Sequence, residues 1–98
     1  MRAVALVAFP GGYGTMDELF EALTLIQSKK VRPIPVILFG QEYWNKIINF
    51  DMLVEEGVIK QCDRKLIKYA ETAEQAWDII LESYTINGDN YPNKKATL

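Results

Sequence analysis

The sequence predicts an α/β protein built on a parallel sheet, and three observations carry that prediction. Strand-sized apolar runs alternate along the chain with stretches of helical periodicity. The best of these runs is apolar throughout, as strands buried on both faces are. Glycine or proline bounds the first two runs. The 98 residues suffice for one domain and no more.

The first strand is Ala3 to Phe9, a run without alternation that Pro10-Gly11-Gly12-Tyr13-Gly14 stops sharply. Thr15 to about Lys29 then has helical periodicity. At about 100° per residue, Met16, Leu19, Phe20, Ala22, Leu23 and Ile26 fall on one side. Asp17, Glu21 and Thr24 fall on the other. Arg32 to Pro35 breaks the chain with two prolines, and Val36 to Phe39 forms a second buried strand closed by Gly40.

Tyr43 to Phe50 reads as helical, with Trp44, Ile47 and Ile48 inward. Asp51 is placed to cap a further helical piece, Met52 to Glu56, ended by Gly57. Leu66 to Tyr69 is a weak third strand. Thr72 caps the last helix, with Glu74 close to the capping-box position. That helix runs to about Tyr84, with Ala73, Ala76, Trp77, Ile80 and Leu81 inward. Residues 1–86 form the domain, and the polar residues 87–98 read as a loose tail. Strand–helix alternation in this order implies right-handed crossovers.

Composition narrows the function. Apolar residues make up 49% and charged residues 24%, which excludes a disordered, collagen-like or coiled-coil chain. No run approaches the roughly 18 apolar residues of a membrane span, and no signal-peptide pattern is present. There is no histidine, so a Ser-His-Asp or Cys-His apparatus within this chain is excluded. Cys62 is the single cysteine, which excludes an internal disulfide or a cysteine-rich zinc site and reads as an inert thiol. A net charge of −2 argues against long nucleic acid as a partner. These traits point to a cytoplasmic protein with a small-molecule partner and no membrane contact.

The chemistry concentrates in Pro10-Gly11-Gly12-Tyr13-Gly14-Thr15-Met16-Asp17-Glu18. A strand ends in glycines and a helix begins at once. Glycine permits positive φ and close approach of a ligand to the backbone. The helix start offers unpaired N–H groups and the positive end of its dipole. Gly11, Gly12 and Gly14, with the Thr15 hydroxyl as a further donor, therefore read as a phosphate site. The bland alternative is a tight strand-to-helix turn. The dinucleotide fingerprint is not met, since Asp17 stands where its third glycine belongs, and no Gly-Lys-Ser/Thr string marks a P-loop. The loop holds no Lys or Arg, so a bound phosphate would take an arginine from elsewhere.

Glu18 sits at the edge of the apolar side, toward Ala22 and Leu25 and away from Asp17 and Glu21. A carboxylate there can lie beside a ribose, orient a water, or stabilise an oxocarbenium-like transition state. The alternative is an acid that merely complements the helix dipole, for about 0.3–1 kcal/mol. No lysine stands in a setting that suggests a pyridoxal Schiff base.

Pro10-Gly11-Gly12-x-Gly14-Thr15-x-x-Glu18 resembles the PGGxGTxxE signature of the Lonely Guy (LOG) family. These are cytokinin riboside 5′-monophosphate phosphoribohydrolases, often misnamed lysine decarboxylases. The resemblance continues in residues 17–21, 53–59 and 72–77 and covers roughly residues 1–82. It implies a Rossmann-like fold and a dimer with its site near the subunit interface. It also implies hydrolysis of a nucleoside 5′-monophosphate to base and ribose 5-phosphate. Gly11, Gly12, Gly14 and Thr15 would hold the 5′-phosphate and Glu18 would be catalytic. No metal or organic cofactor would be needed.

The family also carries an upstream half with an earlier glycine-rich loop and an Arg-Lys pair, whose arginine is catalytic. This chain resembles the C-terminal half. Arg2 lies at the strand entry, the wrong end to take that role. Three expectations stand together: an N-glycosidase completed by the upstream half, a nucleotide-binding module without hydrolysis, and an inactive remnant. Homodimerisation or association with the upstream half would cover the exposed sheet edge.

Overall fold

Three short runs of branched and aliphatic residues supply the sheet. The computed structural model describes residues 5–86. In it β1 (Leu6–Ala8), β2 (Val36–Phe39) and β3 (Ile67–Ala70) form one parallel sheet in the order β1-β2-β3. Leu6 pairs with Val36 and Ala8 with Leu38; Val36 pairs with Ile67 and Phe39 with Ala70. The helices are α1 (Tyr13–Gln27), α2 (Gln41–Ile47), α3 (Phe50–Glu55), α4 (Gln61–Arg64) and α5 (Ala73–Ile86). The α/β class, with a parallel sheet flanked by helices, is as predicted, and the whole is a Rossmann-like fragment.

Successive strands step in one direction, so right-handed crossovers place their helices on one face. On that face Leu19 and Ile26 of α1, Trp44 of α2 and Phe50 of α3 pack with Ala8, Val36, Leu38 and Ile67. On the other face Ala76 and Ile80 of α5 pack with Ala5, Ile37 and Ala70. Side chains alternate across a strand, and β2 is buried on both faces, which explains its unbroken apolar sequence. Among the described residues β1 pairs on one side only, leaving its outer edge open.

Local departures from the predicted elements have local causes. Helix α1 starts at Tyr13 rather than Thr15, because the Gly12 carbonyl already accepts the Met16 N–H at 3.0 Å. It ends at Gln27, where Lys29 turns to φ 60° and its N–H bonds back to Ile26 O at 3.0 Å. The single helix expected from Tyr43 to Phe50 is two. Gly40, at φ 91°, starts α2 early, and Ile48 is extended. Asn49, not Asp51, caps α3 by accepting the Met52 N–H at 3.0 Å.

Helix α4 was not anticipated: it buries no residue, so no periodicity announced it. Strand β3 lies one residue later than expected, starting at Ile67. Thr72 caps α5 as predicted, accepting the Gln75 N–H at 3.1 Å. Gln75 rather than Glu74 reaches back, accepting the Glu71 N–H at 2.7 Å. Phe20, Ile47 and Ala73 are exposed, not inward. The predicted start of β1 at Ala3 and the tail 87–98 lie outside the described residues. Among the described residues no helix is long and apolar enough to cross a membrane.

Candidate phosphate-loop site

The loop leaves β1 through Phe9 and Pro10 and becomes α1 within three residues. The glycines do not serve positive φ, since only Gly40 and Gly57 have it among the described glycines. Gly11 is required by crowding: a Cβ there would overlap the Thr15 hydroxyl and come within 2.9 Å of the Thr15 Cβ. Gly12 and Gly14 differ, because a Cβ at either meets nothing within 4 Å. The chain itself gives no steric reason for glycine at these two positions. Close approach of an outside group to the backbone supplies one.

No side chain caps α1. The amides of its first turn therefore lack the partner that a capping residue gives, and they stand at the positive end of the helix dipole. Thr15 and Glu18 are three residues apart on α1 and so share a face. Both line a cleft of about 210 Å³ whose remaining wall is Leu6 to Pro10 of the β1 edge, with Leu19 at its base. Asp17 and Glu21 are exposed and do not line it. Because α1 begins at Tyr13, Glu18 lies beyond the first turn, where the helix dipole has little hold on a carboxylate. The purely dipolar reading of Glu18 loses its basis. Neither Lys nor Arg lines this cleft among the described residues.

The neighbouring strand–helix corners brace the loop. Gly40 stands against Pro10, its notional Cβ 3.6 Å from the proline Cγ. The Gly40 N–H donates to Ala70 O at 3.0 Å, and the Gln41 N–H donates to the Glu71 carboxylate at 2.8 Å. The Tyr43 hydroxyl donates to Gly11 O at 2.5 Å. The sequence marks Tyr43 only as the start of a helix and does not reveal this contact. The one available signal was its position, four residues past the end of β2. In a parallel sheet that is beside the end of β1.

A larger cleft of about 570 Å³ lies at the opposite end of the sheet, against Pro33, Pro35, Lys65 and Lys68. Open α/β sheets take ligands at the carboxyl ends of their strands, so size does not identify the site here.

A parallel sheet, covered by helices on both faces and bearing a glycine loop that opens a helix, defines an α/β fragment of Rossmann type. The family model described as "Possible lysine decarboxylase" matches residues 1–80, and the chain belongs to this family, the LOG family. The chain is 40% identical over 80 residues to the probable cytokinin riboside 5′-monophosphate phosphoribohydrolase LOGL3 of Oryza sativa subsp. japonica. That match covers 80% of this chain and 37% of the rice protein. It is 37% identical over 94 residues to the cytokinin riboside 5′-monophosphate phosphoribohydrolase LOG1 of Arabidopsis thaliana, covering 94% of this chain and 43% of that protein. With the Arabidopsis thaliana relative LOG3 it shares 41% identity over 73 residues, 72% of this chain and 34% of that one. The chain thus spans less than half the length of the curated relatives it matches.

Proposed function

We propose that this chain supplies the phosphate loop and the carboxylate of a nucleoside 5′-monophosphate N-glycosidase, a cytoplasmic phosphoribohydrolase. The observation that carries the reading is the shared cleft of Thr15 and Glu18 beside the glycine loop. Gly11, Gly12, Gly14 and Thr15 receive the 5′-phosphate on backbone amides and one hydroxyl. A phosphate seated there puts the ribose next to Glu18, three residues along the helix.

The reaction breaks the bond between C1′ and the base nitrogen. A water oxygen bonds to C1′, one water proton leaves with the base, and the other stays on the new sugar hydroxyl. The products are the free base, adenine or a cytokinin, and ribose 5-phosphate. As the bond loosens, positive charge develops on the ribose ring, and the Glu18 carboxylate stabilises it and orients the water. The names of the relatives support this substrate class.

The open edge of β1 is the natural seat for the polypeptide that completes the sheet, in the same chain or a partner. That polypeptide would bring a cationic group, since neither Lys nor Arg lines the cleft among the described residues. A homodimer is the corresponding assembly. Among the described residues no Lys or Arg lines the cleft, an observation that fits a second reading, nucleotide binding without hydrolysis.

Incubation with AMP and with a cytokinin riboside 5′-monophosphate, followed by chromatography of the released base, tests the proposal. Base release that is lost in Glu18→Gln supports it. Full activity of that variant removes the role given to Glu18. Binding of AMP without base release favours the second reading.

A further inference from the structure

The Gly11–Gly12 peptide leads into the start of α1, and a side chain from outside the loop bonds to its carbonyl. Tyr43, half-buried on α2 and 32 residues away in sequence, donates its hydroxyl to Gly11 O at 2.5 Å. We propose that Tyr43 is a positioning residue that sets this peptide plane and so aims the Gly12 N–H at the phosphate. The inference rests on the nucleotide reading above.

A trans peptide is planar, and its C=O and N–H point in opposite directions. Drawing the Gly11 carbonyl toward α2 therefore turns the Gly12 N–H away from α2. Helix α2 follows β2, so that direction leads toward the open side of β1, where Thr15 and Glu18 line the cleft. On the Gly12 side a Cβ would meet nothing within 4 Å, and the Gly12 carbonyl is committed to the Met16 N–H at 3.0 Å. On the other side Gly11 abuts Thr15. Tyr43 and Thr15 thus flank Gly11 from two directions.

Tyr43 is itself held firmly. Its ring meets Trp44 edge-on, with centroids 5.4 Å apart and planes at 87°. Trp44 is fully buried, and its indole N–H donates to Phe39 O at 3.1 Å. The Glu71 carboxylate fixes the first turn of α2 through the Gln41 N–H. The hydroxyl therefore arrives from a braced helix. A donor set held in place before binding spares the ligand the ordering of a glycine loop.

Tyr43→Phe removes the hydrogen bond and keeps the ring on Trp44. Calorimetric titration of the full chain with AMP and with adenosine separates the phosphate-dependent part of binding. The expected result is an AMP Kd raised about five- to tenfold with the adenosine Kd unchanged. An unchanged AMP Kd, or equal weakening of both ligands, overturns the proposal.

Amide spectra of the unliganded protein give a second readout. Displaced or broadened signals of Gly12 to Thr15, with α5 signals unmoved, support the hold of Tyr43 on the loop; unaltered loop signals overturn it. Wild-type protein that does not prefer AMP to adenosine overturns the nucleotide reading instead, and the amide signals still decide whether Tyr43 holds the loop.

Discussion

The side chain of Thr15 fills the space that a Cβ on Gly11 would need. This crowding separates the three loop glycines into two kinds. Gly11 is needed by the fold, whereas Gly12 and Gly14 face open space. Gly11→Ala forces Thr15 or the loop to shift and is expected to lower stability by about 1–3 kcal/mol. Gly12→Ala, at the N-cap of α1, costs up to about 1 kcal/mol. Gly14→Ala, inside α1, raises it by roughly 0.5–1 kcal/mol. Gly12→Ala and Gly14→Ala weaken AMP binding because a methyl group stands where the phosphate approaches, and Gly11→Ala weakens it by displacing Thr15. Urea midpoints read against AMP titrations distinguish the two kinds, and full AMP affinity in Gly12→Ala and Gly14→Ala would remove the ligand from the argument.

The C-terminus of α1 carries a strained residue. Lys29 adopts φ 60°, while its own N–H and that of Lys30 bond back to Ile26 O and Leu25 O at 3.0 and 2.9 Å. Glycine is the usual occupant of this helix-stop position because it has no Cβ to clash there. Lys29→Gly is expected to stabilise the protein by about 1 kcal/mol and to raise the melting temperature. The site cleft lies near the other end of α1, so AMP affinity stays unchanged. A fall in melting temperature would mean that the Lys29 side chain contributes more than its backbone strain removes.

The relation of sequence to structure shows in the same elements. Strand β2 was legible to the residue because Val36 to Phe39 is bounded by Pro35 and Gly40 and buried on both faces. Helix α4 was invisible because it buries nothing and is held by local polar bonds. The division between α2 and α3 turned on Asn49 and Asp51, two residues with equal capping chemistry, and only the extended Ile48 decides between them. Within the site, the loop glycines, Thr15 and Glu18 are contiguous and could be read directly. Tyr43 could not, because its contact with Gly11 is created by sheet order.

The start of α5 is built from Thr72 and Gln75, and it adjoins the brace of the site. Thr72 Oγ1 accepts the Gln75 N–H, and Gln75 Oε1 accepts the N–H of Glu71, whose carboxylate caps α2. Thr72→Ala is expected to lower stability by about 1 kcal/mol. Glu71→Gln keeps an acceptor for the Gln41 N–H but removes the negative charge at the start of α2, an effect of about 0.3–1 kcal/mol. Thermal melts at low and high salt separate the two substitutions: the Glu71→Gln loss shrinks with salt and the Thr72→Ala loss does not.

Asp63 ties α4 to α1 at the rim of an apolar cleft lined by Phe20, Leu23, Phe50 and Leu53. Its carboxylate accepts the Lys60 N–H at 2.9 Å and a Gln27 side-chain N–H at 3.0 Å. The Lys60 backbone bond first, and the Gln27 bond second, hold its pKa below the usual Asp value. A carboxyl whose pKa is lower folded than unfolded stabilises the fold fully above the unfolded value, about 3.9. That contribution falls away as the pH drops from there through the lowered folded value. Asp63→Asn has no charge to titrate. At pH 7 the variant is therefore less stable than wild type, by a modest amount because the site is partly open to solvent. Below pH 4 the difference narrows as the wild-type carboxylate protonates. Urea midpoints for both proteins at pH 7 and pH 2.5 check this. A difference that stays constant with pH would mean that side-chain shape, and not the ionised carboxylate, holds α4 against α1.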